Sequence, residues 1–191
     1  MKKYLPWVLV ALVVIIGFTS YNSMVTQRNE AEKTWANVES AYQRRADLIP
    51  NLVSTVKGYA SHEKETLEGV INARAKATST TIDPSNMTPE SIAAFQQSQA
   101  GLSSALSKLM VVVERYPDLK ANQNFLELQS QLEGTENRIN VERNRFNQAA
   151  TDYKNLIQKL PNALYAGILG FKPLPLFEAV AGSDVAPTVE F

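Results

Sequence analysis

Residues 125–160 read FLELQSQLEGTENRINVERNRFNQAATDYKNLIQKL, and the spacing of the large apolar residues in this stretch decides the fold class. Every seventh position is apolar, at Phe125, Leu132, Ile139, Phe146, Tyr153 and Leu160. A seven-residue repeat is typical of a long helix that packs an apolar seam against neighbouring helices. The stretch therefore predicts a helix of about 40 residues that Pro161 ends.

Two helical stretches are predicted upstream of a loop. The first carries apolar residues at helical spacing as far as Ala46, and Pro50 is expected to interrupt it because proline removes a helix hydrogen bond. The second runs from Ile49 to Ile71 with the same kind of spacing. It fades into residues 75–91, which are rich in Ser, Thr, Asp, Asn and Pro and predict a loop.

A third helix is predicted after the loop. Thr88 is a good N-cap residue, Pro89 suits the first helical position, and Pro117 should stop the helix. Long helices joined by short turns, each with an apolar seam, favour packing in an up-and-down arrangement. We therefore predict an all-α protein, with an N-terminal transmembrane helix followed by an antiparallel four-helix bundle of long helices.

The N-terminal segment predicts the transmembrane helix. It has no charged residue over the 24 positions from Tyr4 to Gln27, and roughly 20 residues suffice to cross a bilayer. A cleaved signal peptide is the alternative, but no Ala-x-Ala site follows the apolar run. We expect a short basic tip at 1–3, a retained anchor at 4–24, a bundle at 25–160 and a Pro- and Gly-containing tail at 161–191.

Composition and motifs argue against several functions. The chain has 19 Lys+Arg and 19 Asp+Glu, so no basic excess points to nucleic acid. Cysteine is absent, and His62 is the only histidine. The sequence His62-Glu63-Lys64-Glu65-Thr66 lacks the second histidine of a zinc-protease helix, and no glycine-rich phosphate loop is present. We predict no catalytic residue, no metal ligand and no cofactor.

Several charged residues fall on the apolar seams, namely Arg28, Arg45, Glu63, Arg74 and Glu142. A charge in a core costs several kcal/mol unless it is paired. If the helices alternate in direction, Arg28, Arg74 and Glu142 come to similar heights near the membrane, and they could form one buried cluster. The alternative is that each side chain extends to the rim of the bundle.

The segment after the fourth helix is apolar but contains Gly and Pro, which make a regular core helix unfavourable. With the first helix ending at Pro50, the fourth should overshoot it by roughly 18–20 Å at the membrane end. We predict a membrane or subunit contact there, made by Leu164, Ile168, Leu169, Phe171, Leu174 and Phe177. The alternative is that the segment folds back and caps the bundle.

Four stretches together resemble the LemA family of bacterial membrane proteins. They are YNSMV at 21–25, TWANVESAYQRRADLIPNLVSTVKGYASHE at 34–63, ERYPDLKANQNFLELQSQLEGTENRIN at 114–140, and the GF of 170–171. The resemblance implies an N-terminal transmembrane helix followed by a four-helix bundle, with no established catalytic activity. It also implies a location in the bacterial cell membrane.

These observations lead to one preferred function and leave its sidedness open. We predict a non-enzymatic scaffold or assembly factor of the bacterial inner membrane, which contacts lipid, copies of itself or a membrane protein partner. The alternative is a ligand-sensing or metal-binding bundle with an unrecognised site. The basic tip, Lys2 and Lys3, would place the bundle on the periplasmic side. Family resemblance implies the reverse, with the short N-terminus outside.

Overall fold

The computed structural model describes residues 3–178, and this part of the chain contains helices and no β-strand, so the all-α class is confirmed. The four long helices are α1 (Leu5–Tyr59), α2 (Lys64–Ser79), α3 (Pro89–Val113) and α5 (Gln123–Gln158). Two short helices complete the described chain, α4 (Pro117–Lys120) and α6 (Asn162–Ala166), with a 3-10 turn at Pro84–Asn86.

Helix α1 passes through Pro50, so the predicted break there is wrong. Proline has no N–H, which leaves the carbonyl oxygen of Ala46 without its helical donor. Arg74 of α2 supplies the missing donor, with its Nε 2.7 Å from the Ala46 oxygen. A side chain from a neighbouring helix therefore satisfies the freed carbonyl, and the helix continues for nine more residues to Tyr59.

The chain reverses at residues 60–63 instead. The N–H of Ala60 donates to the Val56 oxygen, the N–H of Glu63 donates to the Ala60 oxygen, and α2 begins at Lys64. The predicted helical stretch from 49 to 71 is therefore wrong as one element, because its two halves belong to α1 and α2. The apolar spacing is similar on both sides of the turn, and residues 60–63 contain neither proline nor glycine to indicate a break.

Two helix starts have side-chain caps, and the one at Thr88 is the cap predicted from the sequence. Thr88 Oγ1 accepts a hydrogen bond from the N–H of Ser91 at 3.1 Å, and Ser91 Oγ accepts one from the N–H of Thr88 at 3.0 Å. This reciprocal pair opens α3 with Pro89 at its first position, as predicted. Asn122 Oδ1 accepts from the N–H of Phe125 at 3.0 Å and opens α5 in the same manner.

Helices α1 and α5 lie against each other and run in opposite directions. The rings of Trp35 and Phe146 are 5.3 Å apart, and ten residues further along α1 Arg45 meets Glu136, ten residues earlier in α5. Helix α2 packs against both α1 and α3. The same register places the end of α5 level with the first residues after Tyr21 of α1.

Two large groups of buried side chains fill the interior. The distal core is mainly aliphatic and includes Ile49, Leu52, Val56, Val70, Leu102, Leu109, Phe125 and Leu132. The aromatic core lies nearer the N-terminal half of α1 and contains Trp35, Tyr42, Phe95, Phe146 and Phe177. A smaller group at the membrane end is formed by Met24, Tyr153, Ile157 and Ala166. Burial of these groups stabilises the fold, since large apolar side chains leave water.

Candidate functional site

The N-terminal part of α1 presents apolar side chains in all directions. Ten of them are more than half exposed: Leu5, Trp7, Val8, Leu9, Val10, Leu12, Val13, Val14, Ile15 and Phe18. By length and composition, α1 is the one helix in the described residues that could cross a membrane. Apolar surface on this scale is far larger than a soluble protein normally leaves uncovered, and its length fits one crossing of a bilayer.

Helix α6 packs beside this apolar part of α1. The Tyr165 ring lies against Gly17, where an added Cβ would come within 3.3 Å of the ring. The Tyr165 hydroxyl reaches the Val13 carbonyl oxygen at 3.5 Å, a long hydrogen bond. Both contacts fall within the stretch suited to cross a membrane. The segment after α5 therefore extends along the apolar end of the molecule.

Four apolar side chains around α6 point away from the protein. We call Leu160, Leu164, Ile168 and Leu169 the α6 surface; Ile168 is 86% exposed and Leu160 is 75% exposed. The backbone of this segment is largely satisfied internally, because Ala163, Leu169 and Phe171 donate N–H groups to carbonyls within residues 159–166. Internal pairing of this kind is what an apolar environment requires of a backbone.

The chain turns back after α6 and follows the bundle. Gly170 makes this reversal with a φ of 77°, a left-handed conformation that favours glycine. Phe171 then meets the Tyr21 ring edge-on at 5.7 Å. Residues 171–178 form an extended tail, in which the Phe177 ring is stacked on Trp35 with the ring centroids 5.6 Å apart. Asn147 fixes the backbone of Phe177, accepting from its N–H at 2.9 Å and donating to its carbonyl at 3.0 Å.

The six predicted contact residues thus differ in how far they are exposed. Leu164, Ile168 and Leu169 are exposed on the α6 surface, whereas Phe171 and Leu174 are half-buried. Phe177 is buried in the aromatic core. The predicted overshoot of 18–20 Å is wrong, since α1 continues past Pro50 and matches α5 in length above the apolar end. The segment after α5 reaches the level of Val13 and Gly17 through α6, and not through a longer α5.

Two lysines border the α6 surface. Lys159 immediately precedes Leu160, and Lys172 immediately follows Phe171; both side chains are exposed. The sequence has no acidic residue between Asp152 and Glu178, and none on α1 before Glu30. Among the ion pairs within residues 3–178, none includes either lysine. The boundary of the apolar end is therefore positively charged.

The structure does not bring Arg28, Arg74 and Glu142 together. Arg28 is half-buried, with its Nε 2.9 Å from Glu32 Oε1 and its Nη2 2.8 Å from the Ser85 carbonyl oxygen. Arg74 lies beside Ala46, about 27 Å further along α1 at 1.5 Å per residue. The predicted common height assumed a turn at Pro50, and the actual turn at 60–63 moves Arg74 away from the membrane end.

Glu142 is buried and is paired within its own helix. Its Oε1 accepts from Arg138 Nε at 2.8 Å and lies 2.9 Å from Arg145 Nη1, one turn to either side. Both arginines are mostly exposed, so water screens their attraction for the carboxylate. The second oxygen, Oε2, has no hydrogen-bond partner within the described chain. Glu142 therefore carries a desolvation cost that its partners offset in part.

Arg45 forms the most extensive buried polar contact. It is 3% exposed, and its Nη1 lies 2.8 Å from Glu136 Oε2 and 3.0 Å from Ser103 Oγ. Its Nη2 lies 2.8 Å from Gln99 Oε1. These bonds join α1, α3 and α5. The sequence placed Arg45 on a seam but gave no partner, because two of its three partners are uncharged and have no charge pattern to reveal them.

Burial shifts the pKa of several titratable groups. Burial raises the pKa of Glu39, an effect that the Trp35 side chain opposes. Burial also raises the pKa of Tyr42 and of Tyr153. His62 is exposed in the turn between α1 and α2. Over residues 3–178 no group of three or more His, Asp or Glu side chains is placed to hold a metal ion. The arrangement suits surface contacts better than chemistry.

Known proteins are similar in sequence to this chain over most of its length. The LemA family model matches residues 34–191. Magnetosome protein MamQ of Magnetospirillum gryphiswaldense is 28% identical over 181 residues, covering 86% of this chain and 66% of that protein. Protein LemA of Metamycoplasma hominis is 23% identical over 158 residues, covering 83% of this chain and 68% of that protein. The chain thus spans just under two thirds of the length of MamQ.

Proposed function

Because the chain belongs to the LemA family, we propose that it is a non-enzymatic, single-pass protein of the bacterial inner membrane that acts as a scaffold or assembly factor. In this proposal the N-terminal part of α1 spans the bilayer, and α1, α2, α3 and α5 form an antiparallel four-helix bundle above it. The α6 surface lies in the adjoining leaflet or against a neighbouring protein. The membrane and a membrane-bound partner, or a second copy of the chain, are the contacts through which it acts.

The observation that carries the proposal is the position of α6 beside the apolar part of α1. Tyr165 contacts Gly17 and Val13, so the α6 surface is level with side chains that have no polar covering. Exposed Leu164 and Ile168 would be unfavourable in water, at about 25 cal/mol for each Å² of apolar surface. In the leaflet or at a protein contact the same side chains contribute favourably.

A structural role is favoured by the way the buried polar groups are used. Arg45 is held by Glu136, Gln99 and Ser103, and Arg74 is held by the Ala46 carbonyl. Each of these groups satisfies another part of the fold and leaves no nucleophile with an adjacent base. A ligand-sensing or metal-binding role has no comparable observation in its favour within the described residues.

The side of the membrane on which the bundle lies is proposed from the lysines at the two boundaries of the apolar segment. The periplasmic placement expected from the sequence rested on Lys2 and Lys3 in the tip. The fold adds Lys159 and Lys172 to the opposite boundary of the apolar segment, with no acidic residue beside them in sequence. The cytoplasmic leaflet carries the more negative surface potential, so these lysines favour a cytoplasmic bundle. This proposal reverses the expectation from the tip alone.

Labelling of introduced cysteines tests the membrane placement, because the chain has none of its own. Full-length Ile168→Cys protein with an environment-sensitive dye should show quenching by brominated lipids after reconstitution. The matched control is Val111→Cys, since Val111 is also an exposed apolar residue but lies near the far end of α3. Equal quenching at the two positions would contradict the placement of the α6 surface.

Sidedness and partner contact need separate experiments. A Ser61→Cys variant in intact cells should resist a membrane-impermeant maleimide if the bundle is cytoplasmic; rapid labelling would instead support the periplasmic placement. For the partner role, capture from intact membranes should compare the natural chain with a Leu164→Ser, Ile168→Ser, Leu169→Ser variant. Loss of specific companions from the variant supports a contact through the α6 surface, and an unchanged set contradicts it.

A further inference from the structure

We infer that Lys159 and Lys172 form a binding site for the phosphate groups of anionic phospholipids at the edge of the α6 surface. This inference rests on the proposed function, because it requires that the α6 surface lies in the bilayer. The ligand is a lipid headgroup held at the membrane surface, and the class is an anionic glycerophospholipid such as phosphatidylglycerol.

The positions of the two lysines support this assignment. Lys159 lies between the end of α5 at Gln158 and the exposed Leu160. Lys172 follows Phe171, whose ring contacts Tyr21 where the apolar part of α1 ends. The α6 segment between them descends to the level of Val13 and Gly17 and returns. The two lysines therefore bracket an apolar segment, and their long side chains can place ammonium groups among the headgroups.

Charge complementarity identifies the occupant. Slightly further from the apolar end, Arg28 of α1 pairs with Glu32 and Lys33 pairs with Glu30, whereas Lys154 of α5 is in no ion pair within residues 3–178. Lys159 and Lys172 are not in any ion pair within residues 3–178. A basic residue at an anionic membrane surface strengthens binding by about fivefold. A zwitterionic headgroup offers no net charge and gains much less.

The test uses the full-length chain reconstituted in phosphatidylcholine bilayers with a trace of spin-labelled lipid. The fraction of label immobilised next to the protein gives its relative association. We expect spin-labelled phosphatidylglycerol to associate at least about threefold more strongly than spin-labelled phosphatidylcholine. A Lys159→Gln, Lys172→Gln variant should reduce this preference to less than about 1.5-fold. Equal association of the two lipids with the natural chain would overturn the inference.

A matched control separates a local site from the overall charge. Lys57 and Lys64 are exposed and are in no ion pair within residues 3–178. Lys57 lies about 54 Å from Tyr21 along α1, and Lys64 begins α2 just after the turn at 60–63. A Lys57→Gln, Lys64→Gln variant changes the net charge equally and should keep the full preference for phosphatidylglycerol. An equal loss in both variants would show that net charge alone is responsible, which also overturns the inference.

Two further measurements identify the source of the phosphate and test the premise that the α6 surface lies in the bilayer. Inorganic phosphate should lower the preference no more than sodium chloride of the same ionic strength; a larger effect would indicate a site for a soluble anion and overturn the lipid assignment. Dye on Ile168→Cys reports the bilayer position of the α6 surface independently. Quenching there with no lipid preference rejects only the headgroup site, whereas loss of quenching rejects the proposed function as well.

Discussion

In the distal core, aliphatic side chains from α1, α2, α3 and α5 meet across the bundle, whereas the aromatic core nearer the membrane is completed by Phe177 from the extended tail. Helix α3 begins at Pro89, so fewer long helices surround the interior below that point. There the tail runs along the bundle and its Phe177 stacks on Trp35. Regular helices close one end, and a non-helical segment closes the other.

The difference shows that two kinds of contact hold the two ends together. Along the helix seams many buried side chains each contribute a little to stability, and their pattern repeats along the sequence. The tail instead depends on a few large contacts, chiefly the Phe177 ring and the two backbone hydrogen bonds of Asn147. The tail directly follows the segment that carries the α6 surface. Its attachment therefore links the aromatic core to whatever the α6 surface contacts.

The largest expected effect comes from removing a ring of the aromatic core. Phe146 is fully buried between Trp35 and Phe177, so Phe146→Ala should lower the free energy of unfolding by about 3–5 kcal/mol. Leu132→Ala in the distal core should cost about 2–3 kcal/mol, since Leu132 is smaller and slightly exposed. Urea denaturation in detergent, followed by circular dichroism, measures both. A larger loss for Leu132→Ala would break the contrast between the two cores.

Detaching the tail should have the next largest effect. Phe177→Ala removes a buried ring and should lower the free energy of unfolding by about 2–4 kcal/mol. The tail should also become accessible, so chymotrypsin should cut between Phe171 and Lys172 faster than in the natural protein. Leu176→Ala is the control, because Leu176 is exposed beside Phe177. Equal protection of all three proteins would show that Phe177 does not hold the tail.

A smaller effect is expected where Arg74 satisfies the Ala46 carbonyl. Arg74→Met leaves this buried acceptor without a donor and should cost about 1–3 kcal/mol. In a Pro50→Ala background the helix regains its own N–H donor, so the same Arg74→Met change should cost less than about 1 kcal/mol. The double-mutant cycle measures this coupling directly. Equal costs in both backgrounds would mean that Arg74 does not compensate for proline.

The smallest effect is expected at the turn between α1 and α2, beyond both cores. His62 is exposed there, so His62→Ala should change the free energy of unfolding by less than about 1 kcal/mol. Metal content, measured on the natural and variant proteins, should not differ. A stoichiometric metal that is lost from His62→Ala would contradict the assignment of no ligand role to this residue.

Sequence alone predicted the features that depend on local chemistry or on a repeated pattern. The seam of Phe125 to Tyr153 predicted α5, and Thr88 marked the start of α3 because its side chain caps the following residues. Pro50 was misinterpreted because its missing hydrogen bond is replaced by Arg74, which is distant in sequence. Errors arose where a tertiary contact overrode a local rule.

The candidate site was predictable to a similar degree. The apolar residues from Leu164 to Phe177 identified the segment, since they stand outside any helical seam. Their division into an exposed surface and a buried tail depends on the reversal at Gly170, which the sequence pattern does not locate. The Arg45 contacts with Gln99 and Ser103 were missed for the same reason, because neutral partners follow no charge pattern.

Because α1 is one uninterrupted helix, a small tilt of its apolar segment moves its far end over a larger distance. The 55 residues of α1 span about 82 Å, and α5 lies along the part that extends beyond the apolar end. From Tyr21 to Tyr59 the arm is about 57 Å long, so tilting the apolar segment by about 10° would displace the far end by about 10 Å. Because Arg74 compensates for Pro50, the arm has no broken joint at that position. If the apolar segment spans a bilayer, as proposed, a change in bilayer thickness that alters its tilt would displace the turn at His62 by a larger distance.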